Sequence, residues 1–89
     1  MLGLHKVKGI SMLPSYRAND HVLSIKTRKL KVSDVIILKT SAYGEVLKRV
    51  SFISSEGIKV ESDNKEYPSV LTNNIYPLDN ILGKVILKI

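Results

Sequence analysis

Cysteine is absent from the 89 residues of this chain, and so is tryptophan. Without thiols no disulfide can brace the fold and no thiolate can hold a metal, so a chain this short must rely on its core. Histidine is nearly as scarce. His5 and His21 are the only imidazoles, no carboxylate cluster joins them in sequence, and neither a metal nor another cofactor is expected. Long apolar runs are missing too: no stretch approaches the roughly 20 residues that cross a bilayer. The opening MLGLHKVKG has no apolar run of signal-peptide length. The expectation is a soluble chain without a transmembrane segment, with the cytoplasm favoured as its compartment.

Acidic residues are the minority, 8 against 14 basic ones, and the formal charge is +6. The densest basic cluster is Lys26, Arg28, Lys29 and Lys31, in KTRKLK. Such a patch suits a nucleic acid or an anionic membrane surface. The plainer reading is a solvated hairpin tip. No aromatic residue within the cluster can stack on bases, which argues against nucleic acid and leaves contact with a membrane surface open.

What is present reads as strands. The composition, 44% hydrophobic and 25% charged, is that of an ordinary folded protein, and the length holds one domain, residues 1–89. Short alternating or β-branched runs cover His21–Lys26, Asp34–Lys39, Gly44–Val50, Gly57–Glu61 and Ile81–Ile89, after an opening strand that contains His5. Between them lie turn residues: Arg17 to Asp20, Ser54 to Gly57, Ser62 to Lys65 and Tyr76 to Asn80. No window shows a clean helical period. About six short strands with frequent turns predict an all-β, coiled and barrel-like domain, closed or nearly closed to hide its edges.

The stretch GISMLP, residues 9–14, is the first sign of chemistry. Gly9 permits a backbone conformation that a side chain penalises, and Pro14 keeps Leu13 out of helical geometry. Together they predict a stiff turn that presents Ser11 in one orientation. A serine hydroxyl is a poor nucleophile until a base removes its proton. Neither His5 nor His21 has an orienting third group evident in sequence, so a Ser-His-Asp triad has no support there. A neutral lysine is the other option, provided burial lowers its pKa. In GEVLKRV the alternation puts Val46, Lys48 and Val50 on one face, so Lys48 sits between two β-branched residues. A surface lysine whose stem covers apolar area fits the same segment.

Several boxes taken together resemble those of the signal-peptidase/LexA-like serine peptidases of the S24/S26 type, which use a Ser-Lys dyad. Gly9 to Pro14 is similar to their G-x-S-M-x-P box. Asn19-Asp20-His21-Val22 and Ser33-Asp34-Val35-Ile36 are similar to two Gly-Asp-x-Val elements, with Asn and Ser in place of Gly. Val46-Leu47-Lys48-Arg49-Val50 resembles the lysine box, and Gly57, Asp63-Asn64, Ser69 and Gly83-Lys84-Val85 follow in the family's order. The resemblance implies a coiled all-β domain with Ser11 as nucleophile and Lys48 as general base. It implies Ser69 as a serine hydrogen-bonded to the lysine, although Leu71-Thr72-Asn73 stands where the family has Asp-Ser-Arg. It implies a polypeptide substrate bound as an extended strand, with small side chains near the cut, and it leaves room for a homodimer. Only ten residues precede Ser11, which leaves no room for an upstream site in the same chain; the expectation is either the product of an earlier cut or, preferred, cleavage of another polypeptide in trans. The order of boxes in a compact chain also resembles that of the nickel-superoxide-dismutase maturation peptidases. Two other classes remain: a non-catalytic or self-association module of the LexA-like fold, and a basic nucleic-acid or membrane-surface binder working through KTRKLK.

Overall fold

The computed structural model describes residues 2–66 and 69–89. Six strands are present: β1 (Leu2–Lys6), β2 (His21–Ile25), β3 (Val35–Thr40), β4 (Gly44–Ser54), β5 (Gly57–Glu61) and β6 (Ile81–Lys88). They form one sheet in the order β1-β2-β6-β3-β4-β5, and every pairing between neighbours is antiparallel. The described residues hold two short 3-10 turns, Val70–Asn73 and Leu78–Asn80, and no α-helix. The fold is all-β, as the periodicity predicts.

The middle strand β3 divides the core. Val35 to Leu38 is a continuous buried run, and a strand sends successive side chains to opposite faces. Ile36 and Leu38 join Val50, Ile58, Val60, Tyr76 and Ile81 in one cluster. Val35 and Ile37 join Val7, Met12, Val22 and Leu47 in the other. Burying a side chain of this size stabilises by roughly 1.5–3 kcal/mol. Both faces of the central strand therefore contribute, which is why its sequence lacks polar alternation.

Three features differ from the sequence reading. The sheet is not closed, because β1 and β5 stand at its two ends. The outer edge of β5 is instead covered by Tyr76, which exchanges backbone hydrogen bonds of 2.9 and 2.8 Å with Ile58; an edge can be hidden without a barrel. Here the backbone approaches very closely. Gly57 has φ +144°, and a Cβ on it would stand 2.2 Å from the Tyr76 carbonyl oxygen. The KTRKLK segment is not a hairpin tip: β6 lies between β2 and β3, so the segment crosses from one to the other without joining a pair. Its Arg28 is paired with Asp79. Lastly, β4 continues to Ser54 instead of stopping at Val50. The register shifts between Val50 and Phe52, and such a bulge breaks the period-two pattern that marks a strand in sequence.

Candidate active site

The serine lies in the long connection between β1 and β2, and that connection is tied at both ends. Val7 N–H donates to the Asp20 carbonyl and Asn19 N–H donates to the Val7 carbonyl, each at 2.8 Å. Inside the loop, Leu13 N–H donates to the Ile10 carbonyl and Tyr16 N–H to the Met12 carbonyl, at 3.2 and 2.9 Å. Gly9 takes φ +76°, the left-handed region that a side chain penalises, and the Leu13–Pro14 bond is cis. Met12, 2% exposed, plugs the loop into the core. Ser11, next to that anchor, is half-buried.

Lys48 comes from β4, opposite Ile36 of β3. Its neighbours on the same face, Val46 and Val50, pack into the core cluster of Ile36 and Leu38, and Lys48 itself is only 3% exposed. Its Nζ is 3.0 Å from Ser11 Oγ. Burial lowers the Lys48 pKa from its ordinary value of 10.5, because removing water penalises the charged amine. No carboxylate among the described residues forms an ion pair with it. The two residues singled out in sequence, 37 positions apart, meet in a hydrogen bond.

The residue after the lysine holds the other side of the site. Arg49 donates from Nε and Nη2 to the two carboxylate oxygens of Asp63, both at 2.7 Å, and from Nη1 to the Ser33 carbonyl at 2.7 Å. That bidentate bond raises the Arg49 pKa and holds the Asp63 carboxyl below its usual value of 3.8. Asn64, next in the chain, grips the serine loop twice. Its backbone N–H donates to the Ser11 carbonyl and its side-chain amide to the Ile10 carbonyl, each at 2.9 Å. Lys48 reaches the hydroxyl while its neighbour Arg49, through Asp63-Asn64, holds the backbone that carries that hydroxyl. Sequence reasoning noted Asp63, Asn64 and Arg49 as parts of boxes and assigned them no task.

Other expectations fare differently. Ser69 Oγ accepts from Leu71 N–H at 3.2 Å and caps the first 3-10 turn. Among the described residues the Lys48 amine's hydrogen-bond partner is Ser11 rather than Ser69. His5 does have an orienting group: Glu45 Oε1 lies 3.4 Å from its Nδ1. Its hydroxyl partner, however, is Ser24, 3.1 Å from Nε2 and buried at 3% exposure, not Ser11. His21 is exposed at the start of β2.

Ser11 borders two depressions. One, of about 340 Å³, is lined by Lys48, Val46, Ser69, Val70 and Leu71. The other, of about 690 Å³, runs from Ser11 between Leu4–Lys8 and Tyr43–Leu47. Both of its walls carry unpaired backbone. β1 is paired with β2 alone, and Gly44 to Lys48 pair with β3 on one side while β5 pairs only from Arg49 onward.

Comparison with known proteins yields no match among curated proteins and none among solved structures. A family model, described as Peptidase S24-like, matches residues 2–86. An all-β sheet that seats the serine box and the lysine box against each other is consistent with that match, and the chain belongs to the Peptidase S24-like family.

Proposed function

We propose that this protein is a serine endopeptidase in which Ser11 is the nucleophile and Lys48 the general base. The observation that carries the reading is the Lys48 amine, 3% exposed and 3.0 Å from the Ser11 hydroxyl. Buried without a carboxylate, the amine is shifted toward its neutral form, and a neutral amine can accept the hydroxyl proton as Oγ attacks a scissile carbonyl. The Ser11 backbone N–H supplies one donor to the developing oxyanion. Gly9 has no hydroxyl to offer as a second, so a further backbone N–H serves. The Lys48 ammonium then protonates the leaving amine. Neutral Lys48 next takes a proton from water as the water oxygen attacks the acyl carbon, and the ammonium returns that proton to Oγ as the bond from Oγ to the acyl carbon breaks.

The substrate is a polypeptide other than this chain, bound extended in the larger depression. Unpaired edges of β1 and of the first half of β4 face that depression, and an added strand gains main-chain hydrogen bonds from such edges. Small side chains near the cut follow from the family resemblance. The test is digestion of a diverse peptide library by wild type, Ser11→Ala and Lys48→Ala, read by mass spectrometry. Cuts made by wild type alone support the assignment, and cuts retained in Lys48→Ala overturn it.

A second reading, a self-association module, is favoured by one observation. Leu4, Leu23 and Leu87 stand side by side across β1, β2 and β6, and Leu4 and Leu87 are more than half exposed. Sedimentation of wild type and Leu87→Lys over a range of concentration distinguishes a dimer from a monomer.

A further inference from the structure

We infer that His5 and Glu45 determine what enters the larger depression, because their pair crosses it. The inference rests on the reading of that depression as the polypeptide groove. β1 and β4 are not neighbours: β2, β6 and β3 lie between them in the sheet. Yet His5 of β1 and Glu45 of β4 line the same depression and meet across it, Nδ1 to Oε1 at 3.4 Å. The carboxylate side of the pair is half in solvent, at 55% side-chain exposure, while the imidazole is 23% exposed and tethered from behind. The tether is Ser24, whose Oγ is 3.1 Å from Nε2 and 3.5 Å from the Gly3 carbonyl. Space for that hydroxyl exists because positions 3 and 83 lack side chains: a Cβ on either would stand 3.0 or 2.9 Å from Ser24 Oγ.

Both ring nitrogens of His5 have an oxygen partner, Glu45 Oε1 at Nδ1 and Ser24 Oγ at Nε2. The imidazolium has two N–H donors. One faces Glu45, the other faces Ser24 Oγ, and the Ser24 hydroxyl in turn donates a hydrogen bond to the Gly3 carbonyl. On deprotonation the attraction between charges across the groove disappears. The remaining charged or titratable groups on this depression are Lys6 and Lys8 on the β1 side, with Tyr43 at the β3–β4 turn and Glu45 itself. The two lysines repel the imidazolium, and among the described residues Glu45 is the sole acidic side chain that borders the depression. A polypeptide strand laid between the walls has to part His5 from Glu45. Entry is therefore opposed when His5 is protonated and freed when it is neutral.

Steady-state cleavage of a single library-derived peptide, followed from about pH 5 to 8 where imidazole titrates, tests this in wild type, Glu45→Gln and His5→Gln. In wild type KM falls several-fold as pH rises, and in both variants KM is already low and flat. The Lys48-dependent rise of kcat persists in all three. Equal KM profiles in wild type and Glu45→Gln overturn the inference and leave the peptidase reading standing. If no peptide is cut, the crossing is still judged by amide chemical shifts. Over the same pH range the amides of Gly44 to Val46 shift together with those of Lys6 to Lys8 in wild type, and Glu45→Gln abolishes the shift on the β4 side. Amides of Gly44 to Val46 that ignore pH in wild type sink the proposal whatever the enzyme does.

Discussion

Three side chains show the site's physics at the scale of single residues. Lys48 is held in a place that disfavours its charge, and so it costs stability. Lys48→Met, similar in length and apolar, is expected to abolish cleavage while raising the midpoint of urea unfolding, since the desolvation cost of burying an amine is removed. The direction of its pKa also fixes a pH dependence. The folded state binds the Lys48 proton less tightly than the unfolded chain does, so between the lowered pKa and 10.5 this residue makes stability rise with pH. On the proposed mechanism the cleavage rate climbs as pH approaches the lowered Lys48 pKa from below and levels off above it, because the neutral amine is the base; a kcat profile that ignores Lys48 protonation contradicts that role. Asn19 and Ser33 carry a quieter message. Each has positive φ, 75° and 83°, and each occupies the place of a glycine in the Gly-Asp elements that the sequence resembles. Asn tolerates that region better than Ser does, so Ser33→Gly is expected to stabilise by up to ~1 kcal/mol, as thermal unfolding will show.

Among the elements, the connection from Arg49 through Asp63 to Asn64 is the one to break. Asn64→Ala removes the amide that holds the Ile10 carbonyl but leaves the backbone hydrogen bond to Ser11. Misplacing a nucleophile by a fraction of an ångström to an ångström can cost on the order of 100-fold, so kcat should drop by 10-fold or more with the far-ultraviolet circular dichroism unchanged. Acid acts on the same connection. Asp63 titrates below 3.8 in the folded protein, so the stability it contributes is complete above that value and is lost as pH falls through its lowered pKa. At the other end of the molecule, Gly57→Ala drives a methyl group to 2.2 Å from the Tyr76 carbonyl oxygen and should cost more than ~3 kcal/mol. These elements were unequally legible. β2, β3, β5 and β6 are visible to within a residue at each end because alternation and turn residues agree. β4 beyond Val50 is hidden by its bulge, and β6 gives no sign in sequence that it will insert between β2 and β3. Ser11 and Lys48 stand out through box order and strand parity. The task of Asn64 depends on a contact with a loop 54 positions away, which no local pattern encodes. Ser69 misled because a serine one residue before a 3-10 turn is already committed to capping it.

For the whole molecule, the open sheet is the informative property. Its gap faces the depression beside Ser11, and a strand bound there would satisfy backbone groups on β1 and β4 at once. Hydrogen exchange in the presence of a bound peptide should therefore slow at Leu4, Lys6 and Glu45 together, and slowing at one wall alone would indicate a different binding mode. The place of β6 has a consequence for how the protein comes into being. β1 and β2 pair as one unit, β3, β4 and β5 form a meander, and among the described residues the only strand that pairs with both is β6, the latest in sequence. Ser11 belongs to the first unit and Lys48 to the second. A chain cut short before Ile81 lacks the sheet pairing between these units and keeps only their side-chain and loop contacts, such as Asn64 on the serine loop and the shared cluster of Met12, Val22 and Ile37. The last of these strands to be synthesised is thus the one whose pairing braces the Ser11–Lys48 contact, and a chain truncated before Ile81 is expected to lose that contact in solution even where its remaining strands form.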